Sequence, residues 1–227
     1  MATIHRLHPE NPQSRTINQI VSALRGGAIM LYPTDTVYAI GCDLMSKSAV
    51  QRVRQLKQMS NDKPLTFLCS SLSSISEYAD VSDVNYRTMR SLVPGPFTFI
   101  LPATKLVPKL VLNPKRKTTG IRVPNHLVSQ TLIEALGNPI ISTSANLTEE
   151  DLKDEDFGDQ RRNSKQRNIY NLPKMELFDH FSKLVDLIVD DGSEYDHEVS
   201  TILDLTDDLH PQILRQGLGQ VPFMSKN

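Results

Sequence analysis

Short strand-like apolar runs alternate with segments of helical periodicity along this chain of 227 residues, and this alternation limits its fold more than any other feature. The run AIMLYP at 28–33 is continuously apolar and ends at a proline, which is typical of a strand buried on both faces. Apolar residues at helical spacing predict helices near 17–24, 49–56 and 128–136. Further strands are predicted at 65–70, 96–104, 120–124, 139–146, 185–191, 199–206 and 212–217. About seven or eight strands with three to five helices indicate an α/β or α+β sheet layered with helices.

Composition and charge narrow the class of protein. Apolar residues make up 39% and charged residues 22% of the chain, and the formal net charge is −1. These values are typical of a soluble globular domain, so any attraction to nucleic acid must come from a local patch. No apolar run reaches the ~18 residues that a membrane-spanning helix needs, and the N-terminus lacks a hydrophobic signal core. We therefore expect a cytoplasmic protein without membrane contact, with Cys42 and Cys69 as buried free thiols.

The chain is expected to form one domain over residues 1–227, with one segment set apart. Residues 148–174 have almost no apolar periodicity, and an acidic half is followed by a basic half. This pattern is typical of an exposed, mobile loop. The alternative is a lid over a site, because the segment follows a polar cluster directly.

The first polar cluster lies in LYPTDTVYAIGCD at 31–43. Two threonines, an aspartate and a tyrosine follow a buried strand within seven residues. A plain turn would use Gly, Asn or Pro and would not need four side-chain hydrogen-bonding groups. The stretch therefore predicts the rim of a pocket.

Cations are concentrated in KRKTTGIRVP at 115–124. Lys115, Arg116 and Lys117 stand together, and Arg122 follows within the predicted strand. An anion such as a phosphate, a carboxylate or an RNA backbone would stabilise this cluster. For residues 115–117 a solvated turn is the alternative, whereas Arg122 on a mostly buried strand requires a partner.

A third cluster, STSAN at 142–146, offers three hydroxyls and an amide after the apolar PII. Capping of a following helix would use one or two of these groups, so the remainder indicate a ligand. The stretches VSTILD at 199–204 and ILRQG at 213–217 also contain small polar groups and an arginine shortly before a glycine, but each pattern alone is unspecific. The common phosphate loop, the dinucleotide fingerprint, zinc spacing and a serine-hydrolase elbow do not occur. The adjacent aspartates at 190–191 and 207–208 are interpreted as turn carboxylates, because neighbouring strand residues point to opposite faces.

These motifs occur in the order found in the threonylcarbamoyl-AMP synthase family, also called YrdC-like, which the chain resembles from about residue 5 to residue 220. The KRKTTGIRVP form and the HPENPQSR start look closest to the YciO-like branch. The resemblance implies a single α/β domain whose twisted, open, mixed sheet surrounds a basic cavity and is flanked by helices. It also implies a nucleotidyltransferase that joins L-threonine, bicarbonate and ATP into threonylcarbamoyl-AMP for the threonylcarbamoyladenosine modification of tRNA. ATP would be a substrate that enters with Mg²⁺, and no tightly bound metal is expected.

The resemblance also assigns roles to individual residues. The substrate threonine would be bound by residues of four motifs, namely Thr34, Thr36, Arg122, Ser142 and Ser200, with Arg122 on its carboxylate. The nucleotide would contact Thr118, Ser144, Asn146 and Arg215. The catalytic cations would be Lys57 and Lys63.

The stretch KQMSNDKPL at 57–65 departs from the family pattern. Lys57 is kept, but Met59 stands where an arginine is expected and Lys63 replaces an asparagine. Two alternatives to a synthase therefore stay open. One is an RNA- or nucleotide-binding protein, with tRNA or double-stranded RNA held at residues 115–117, and the other is an acyl- or carbamoyl-adenylate hydrolase. A monomer or weak dimer is expected.

Overall fold

The computed structural model describes residues 1–57, 65–113, 115–145, 173–194 and 198–221. Within these ranges ten strands form one mixed sheet in the order β1-β8-β2-β3-β7-β4-β6-β5-β9-β10. The strands are β1 (Thr3–Arg6), β2 (Ile29–Tyr32), β3 (Ala39–Asp43), β4 (Thr66–Leu68), β5 (Phe97–Pro102), β6 (Thr118–Arg122), β7 (Ile140–Ser144), β8 (Leu187–Asp190), β9 (Thr201–Asp204) and β10 (Gln212–Arg215). The helices are α1 (Ser14–Arg25), α2 (Lys47–Leu56), α3 (Asp83–Arg90), α4 (Leu127–Leu136) and α5 (Lys174–Phe181).

The strand pairing is mixed, as the predicted fold class requires. Pairs β1/β8, β2/β8, β4/β6 and β5/β9 are parallel. Pairs β2/β3, β3/β7, β4/β7, β5/β6 and β9/β10 are antiparallel. The single mixed sheet with helices on both faces confirms the predicted α/β fold class.

The predicted helical periodicity is confirmed in α1, α2 and α4. In α1 the buried residues recur at helical spacing, at positions 17, 20, 21 and 24. Helix α4 ends at Gly137, whose φ of 82° lies in the left-handed region that favours glycine. Each of these helices is amphipathic, so each packs one side against the sheet.

The two faces of the sheet are covered differently. One face packs Met30, Ala39, Leu68 and Ile140 against α1 and α4. The opposite face packs against α2, α3 and α5. Among the described residues, those packed against helices α1 and α4 on the sheet belong to β8, β2, β3, β7 and β4. On that face, β5, β6 and β9 therefore lie beyond the helical cover, and they contribute to a cavity.

Four elements were not predicted from the sequence. Strand β1 has no apolar run because it lies at the sheet edge with three exposed residues. Strand β3 was interpreted as a continuation of the pocket rim. Helix α3 buries only Asn85 and Met89, so its periodicity is weak. Helix α5 follows directly on the polar segment that ends at residue 174.

Two smaller expectations can be compared with the structure. Cys42 and Cys69 are buried free thiols, as predicted. No helix in the described ranges is long and apolar enough to cross a bilayer. Most of the predicted insertion at 148–174 lies outside the described residues.

Candidate functional site

A cavity of about 170 Å³ lies on the sheet face that α1 and α4 leave open. Fifteen described residues line it, of which eight are serine or threonine and two are arginines, Arg122 and Arg215. The other five of these described residues are apolar, so none of the fifteen is acidic. Hydroxyls and guanidinium groups together suit a ligand that carries carboxylate, phosphate or carbonyl oxygens.

The loop after β2 supplies one wall through Thr34 and Thr36. The Thr34 hydroxyl donates to the carbonyl of Val37 at 2.8 Å and accepts from the Thr36 backbone N–H at 3.1 Å. The two hydroxyl oxygens lie 3.1 Å apart. Because the single Thr34 proton is used on Val37, Thr36 must donate to Thr34. The Thr36 oxygen therefore keeps lone pairs for a ligand donor.

Arg122, the last residue of β6, brings a positive charge into the cavity wall. Its Nη2 donates to Asp35 Oδ1 at 2.6 Å, and the two side chains are only 9% and 10% exposed. Arg122 Nε and Asp35 Oδ2 are buried and have no hydrogen-bond partner among the described residues. A buried donor without a partner costs free energy, so an acceptor from a ligand would stabilise this arrangement.

Ser142 on β7 forms part of the cavity wall and contacts Tyr32 from the end of β2. The Tyr32 hydroxyl donates to Ser142 Oγ at 2.7 Å. Burial raises the pKa of the Tyr32 phenol well above its ordinary value, although the Ser142 hydrogen bond and the charge of Arg122 act in the opposite direction. The phenol therefore stays protonated and remains a hydrogen-bond donor.

The far wall is formed by Thr98 on β5 and Ser200 directly before β9. Their hydroxyl oxygens lie 2.9 Å apart. Arg215 donates from Nε and Nη2 to the Ser200 carbonyl at 3.2 and 2.8 Å, and from Nη2 to Ser200 Oγ at 3.3 Å. Since Arg215 can only donate, Ser200 Oγ accepts, and one hydroxyl proton of this pair is left for a ligand acceptor.

The structure brings together most of the side chains that the sequence assigned to the site. Seven of them line the cavity, namely Thr34, Thr36, Arg122, Ser142, Ser144, Ser200 and Arg215. Thr118 is buried on the same face of β6 as Arg122 but does not line the cavity. The two residues are four positions apart, which at ~3.3 Å per residue separates them by about 13 Å along the strand. Lys57 caps the C-terminus of α2 and is also absent from the lining. Lys63, Met59 and Asn146 lie outside the described residues.

The basic turn at 115–117 lies before β6 and is exposed. Asn113 Oδ1 accepts from the backbone N–H groups of Lys115 and Arg116 at 3.0 and 2.9 Å, and Lys117 has a φ of 53°. Arg116 also contacts Asp204 at 3.4 Å. This geometry agrees with the solvated turn that was the alternative to an anion site. It leaves the three cations accessible.

Sequence reasoning missed several contributors to the site. Thr66 and Thr98 line the cavity, and each stands beside a phenylalanine within a buried strand. A threonine inside an apolar run was the available signal. Tyr32 and Asp35 belong to the quoted loop motif, but their partners, Ser142 and Arg122, follow only from strand order.

A second polar contact supports the loop from behind. His126 lies 3.0 Å from Asp191 Oδ2 and 3.2 Å from the Ser129 hydroxyl. Ser129 is fully buried and donates to the carbonyl of Pro33 at 2.6 Å, so its geometry is not that of a nucleophile. Burial would raise the pKa of the Asp191 carboxyl, but hydrogen bonds from His126 and the Ser193 backbone hold it below its ordinary value. These contacts fix the start of the threonine-rich loop.

Asp190 and Asp191 also accept backbone N–H groups at a turn, from Gly192 and Ser193, which is the role predicted for them. In the part of the chain that the structure describes, no group of three or more His, Cys, Asp or Glu side chains could hold a metal ion.

Comparison with known proteins gives a consistent result. A family model for Sua5, YciO and YrdC proteins, described as telomere recombination, matches residues 22–161. The chain is 39% identical over 225 residues to YciO of Escherichia coli (strain K12), an uncharacterized protein, with 99% of this chain and 100% of YciO covered. It is 33% identical over 135 residues to the threonylcarbamoyl-AMP synthase of Vibrio vulnificus (strain YJ016), which covers 58% of this chain and 72% of that protein.

Solved structures agree with the sequence comparison. The crystal structure of E. coli YciO superposes with a TM-score of 0.81 over 98% of both chains at 38% identity. The crystal structure of P. abyssi Sua5 complexed with L-threonine superposes with a TM-score of 0.77 at 25% identity. That match covers 95% of this chain but only 58% of the Sua5 chain.

Proposed function

Because this chain belongs to the Sua5/YciO/YrdC family, we propose that it is a nucleotidyltransferase that forms threonylcarbamoyl-AMP from L-threonine, bicarbonate and ATP. The product would serve the threonylcarbamoyladenosine modification of tRNA. The observation that carries the proposal is the buried Arg122, which lines a hydroxyl-rich cavity and has one N–H without an acceptor in the described residues.

The wall groups fit L-threonine. The Arg122 guanidinium pairs with the substrate carboxylate, since planar guanidinium and carboxylate groups match in geometry. Thr36, whose oxygen has free lone pairs, accepts from the ammonium or hydroxyl group. A known complex of Sua5 with L-threonine supports this assignment by relationship.

The chemical step is a condensation followed by nucleotidyl transfer. The threonine amine adds to bicarbonate with loss of water, and an oxygen of the resulting carbamate attacks the α-phosphorus of ATP. The bond to pyrophosphate breaks, and pyrophosphate leaves. Carbamate and phosphates are all anionic, so cations must neutralise their approach. Lys57 and Lys63 would take this role, and Mg²⁺ bound with ATP would neutralise part of the phosphate charge. Ser144, Asn146 and Arg215 would contact the nucleotide, and Thr118, which does not line the cavity, would do so only where the nucleotide extends beyond it.

The methionine at position 59 determines how fast we expect the synthase reaction to be. The family pattern that the sequence resembles typically has an arginine at this position, and loss of one electrostatic donor beside a reacting group costs about 10²–10³ in rate. Lys63 restores a charge but not the planar fork of donors. We therefore expect a slow synthase.

The test is pyrophosphate release that depends on both threonine and bicarbonate. We expect low activity in the wild type, higher activity in Met59→Arg and none in Lys57→Ala. Lys47→Ala removes an exposed lysine at the other end of α2 and should match the wild type. Activity that survives Lys57→Ala would place the reacting centre elsewhere.

RNA binding is the second candidate, and a segregation of charge favours it. Residues 84–133 contain no Asp or Glu but eight Lys or Arg, namely Arg87, Arg90, Lys105, Lys109, Lys115, Arg116, Lys117 and Arg122. The three cations at 115–117 are exposed on one turn. The exposed cations at 115–117 attract a phosphate backbone although the net charge is only −1, whereas the buried Arg122 belongs to the cavity. Salt-sensitive binding of tRNA or double-stranded RNA, without pyrophosphate release from any variant, would favour this candidate.

A further inference from the structure

Tyr32 crosses the sheet beneath the cavity to reach Ser142. The side chain starts on β2 and passes over Gly41 of β3, which is the direct neighbour of Ser142 in the strand register. A Cβ on residue 41 would lie 2.7 Å from Tyr32 Cε1 and 2.8 Å from Ile140 Cγ2. Only glycine leaves room for the ring at this point. The contact between Tyr32 and Ser142 therefore requires glycine at position 41.

The contact fixes the direction of a hydroxyl proton. Tyr32 is fully buried and donates to Ser142 Oγ at 2.7 Å, so one lone pair of Ser142 is occupied. The Ser142 proton is not used on Tyr32, and the Ser142 side chain lines the cavity. Arg122 lines the same cavity as Ser142. An unheld serine would rotate among three staggered positions, whereas this one is held in place.

We propose that Tyr32 is a positioning residue that holds the Ser142 hydroxyl as a hydrogen-bond donor toward a carboxylate or carbonyl oxygen of the substrate. Tyr32 does not line the cavity and acts through Ser142. This assignment rests on the proposed binding of L-threonine. The Ser142 hydroxyl and Arg122 would then both donate to the ligand, whereas the Thr36 oxygen would accept from it.

The test is a double-mutant cycle in L-threonine affinity, measured by titration calorimetry. We expect Tyr32→Phe and Ser142→Ala each to weaken binding about three- to tenfold, the effect of one lost hydrogen bond. Because both changes remove the same interaction, the double variant should bind no more weakly than Ser142→Ala alone. Tyr38→Phe is the matched control, since Tyr38 is equally buried but belongs to the opposite face and does not line the cavity. Its affinity should equal that of the wild type.

The possible results separate the two proposals. Losses that multiply in the double variant would mean that Tyr32 acts by packing, which overturns the inference. Wild-type affinity in Tyr32→Phe would overturn it as well, while the proposed function would stand. Absence of threonine binding by the folded wild type, with or without ATP, would overturn the proposed function and the inference with it.

Discussion

Replacement of Asp35 with asparagine should destabilise the free protein far more than its complex with threonine. In the free protein the Asp35 carboxylate lies 2.6 Å from Arg122 Nη2, and about nine-tenths of each side chain is buried. Asparagine keeps the shape but removes the charge, so Arg122 stays buried without a counter-ion. Loss of one partner from a buried pair costs about 3–5 kcal/mol. We expect about 3 kcal/mol, because the asparagine carbonyl still accepts one hydrogen bond.

Bound threonine should reverse part of this loss. If its carboxylate contacts Arg122, it supplies the missing negative charge, and the variant gains more from the ligand than the wild type does. If bound threonine restores about half of the lost free energy of unfolding, the Kd for threonine is about tenfold lower in Asp35→Asn than in the wild type. A substitution that weakens the fold would thus strengthen binding.

Urea unfolding with and without saturating L-threonine measures both quantities. Asp186→Asn provides the control, because the Arg52–Asp186 contact of 2.9 Å lies on the surface with 44% and 40% of the side chains exposed. An asparagine oxygen can still accept the Ile29 backbone N–H that Asp186 Oδ2 accepts at 2.8 Å. That change should cost less than about 1 kcal/mol, with or without threonine. Equal losses for Asp35→Asn in both conditions, or weaker threonine binding, would show that Arg122 does not hold the substrate carboxylate.

Further predictions concern nucleotide binding, the core and the thiols. ATP at ~100 times its Kd should stabilise the wild type by about 2.7 kcal/mol in thermal unfolding, and Ser144→Ala should remove most of this shift. Thr119→Val should raise the free energy of unfolding by about 1 kcal/mol, since the buried Thr119 hydroxyl has no partner among the described residues. Thr201→Val is the counterpart and should lower the free energy of unfolding by about 1–3 kcal/mol, because the Thr201 hydroxyl donates to the Gly219 carbonyl at 2.6 Å. Chemical denaturation of the two variants should therefore give changes in this free energy of opposite sign. Burial raises the pKa of Cys42 and Cys69 to about 12, so alkylation at pH 8 should label neither thiol until the chain unfolds, and stability should fall as pH rises above 9.

The sequence predicts local structure well where apolar residues recur without interruption. The run at 28–33 became β2, and the alternation of Phe97, Phe99 and Leu101 became β5 with those rings in the core. Strand β1 could not be predicted because its stability comes from pairing with β8, more than 180 residues away in the chain. Pairing between distant segments leaves no periodic trace in either segment.

The site could be predicted as a set of residues but not as an arrangement. Arg122 was expected to need a partner, yet nothing in the sequence identified Asp35. Their contact depends on the strand order, in which β3, the strand after the Asp35 loop, is followed across the sheet by β7, β4 and β6. Register along these strands then decides which side chains share a face. Thr118 illustrates the limit, since it shares the Arg122 face but lies too far along the strand to line the cavity.

The residues that would touch a ligand are held by residues that would not. Tyr32 holds Ser142, and Ser129 holds the carbonyl of Pro33, which directly precedes the cavity residue Thr34, across sequence separations of 110 and 96 residues. Such support fixes binding groups before a ligand arrives, and fixed groups bind without further cost in ordering. None of these contacts involves the stretch at 57–65, where the chain departs from the family pattern. Threonine affinity and synthase rate should therefore vary independently, with the wild type and Met59→Arg equal in the first and different in the second.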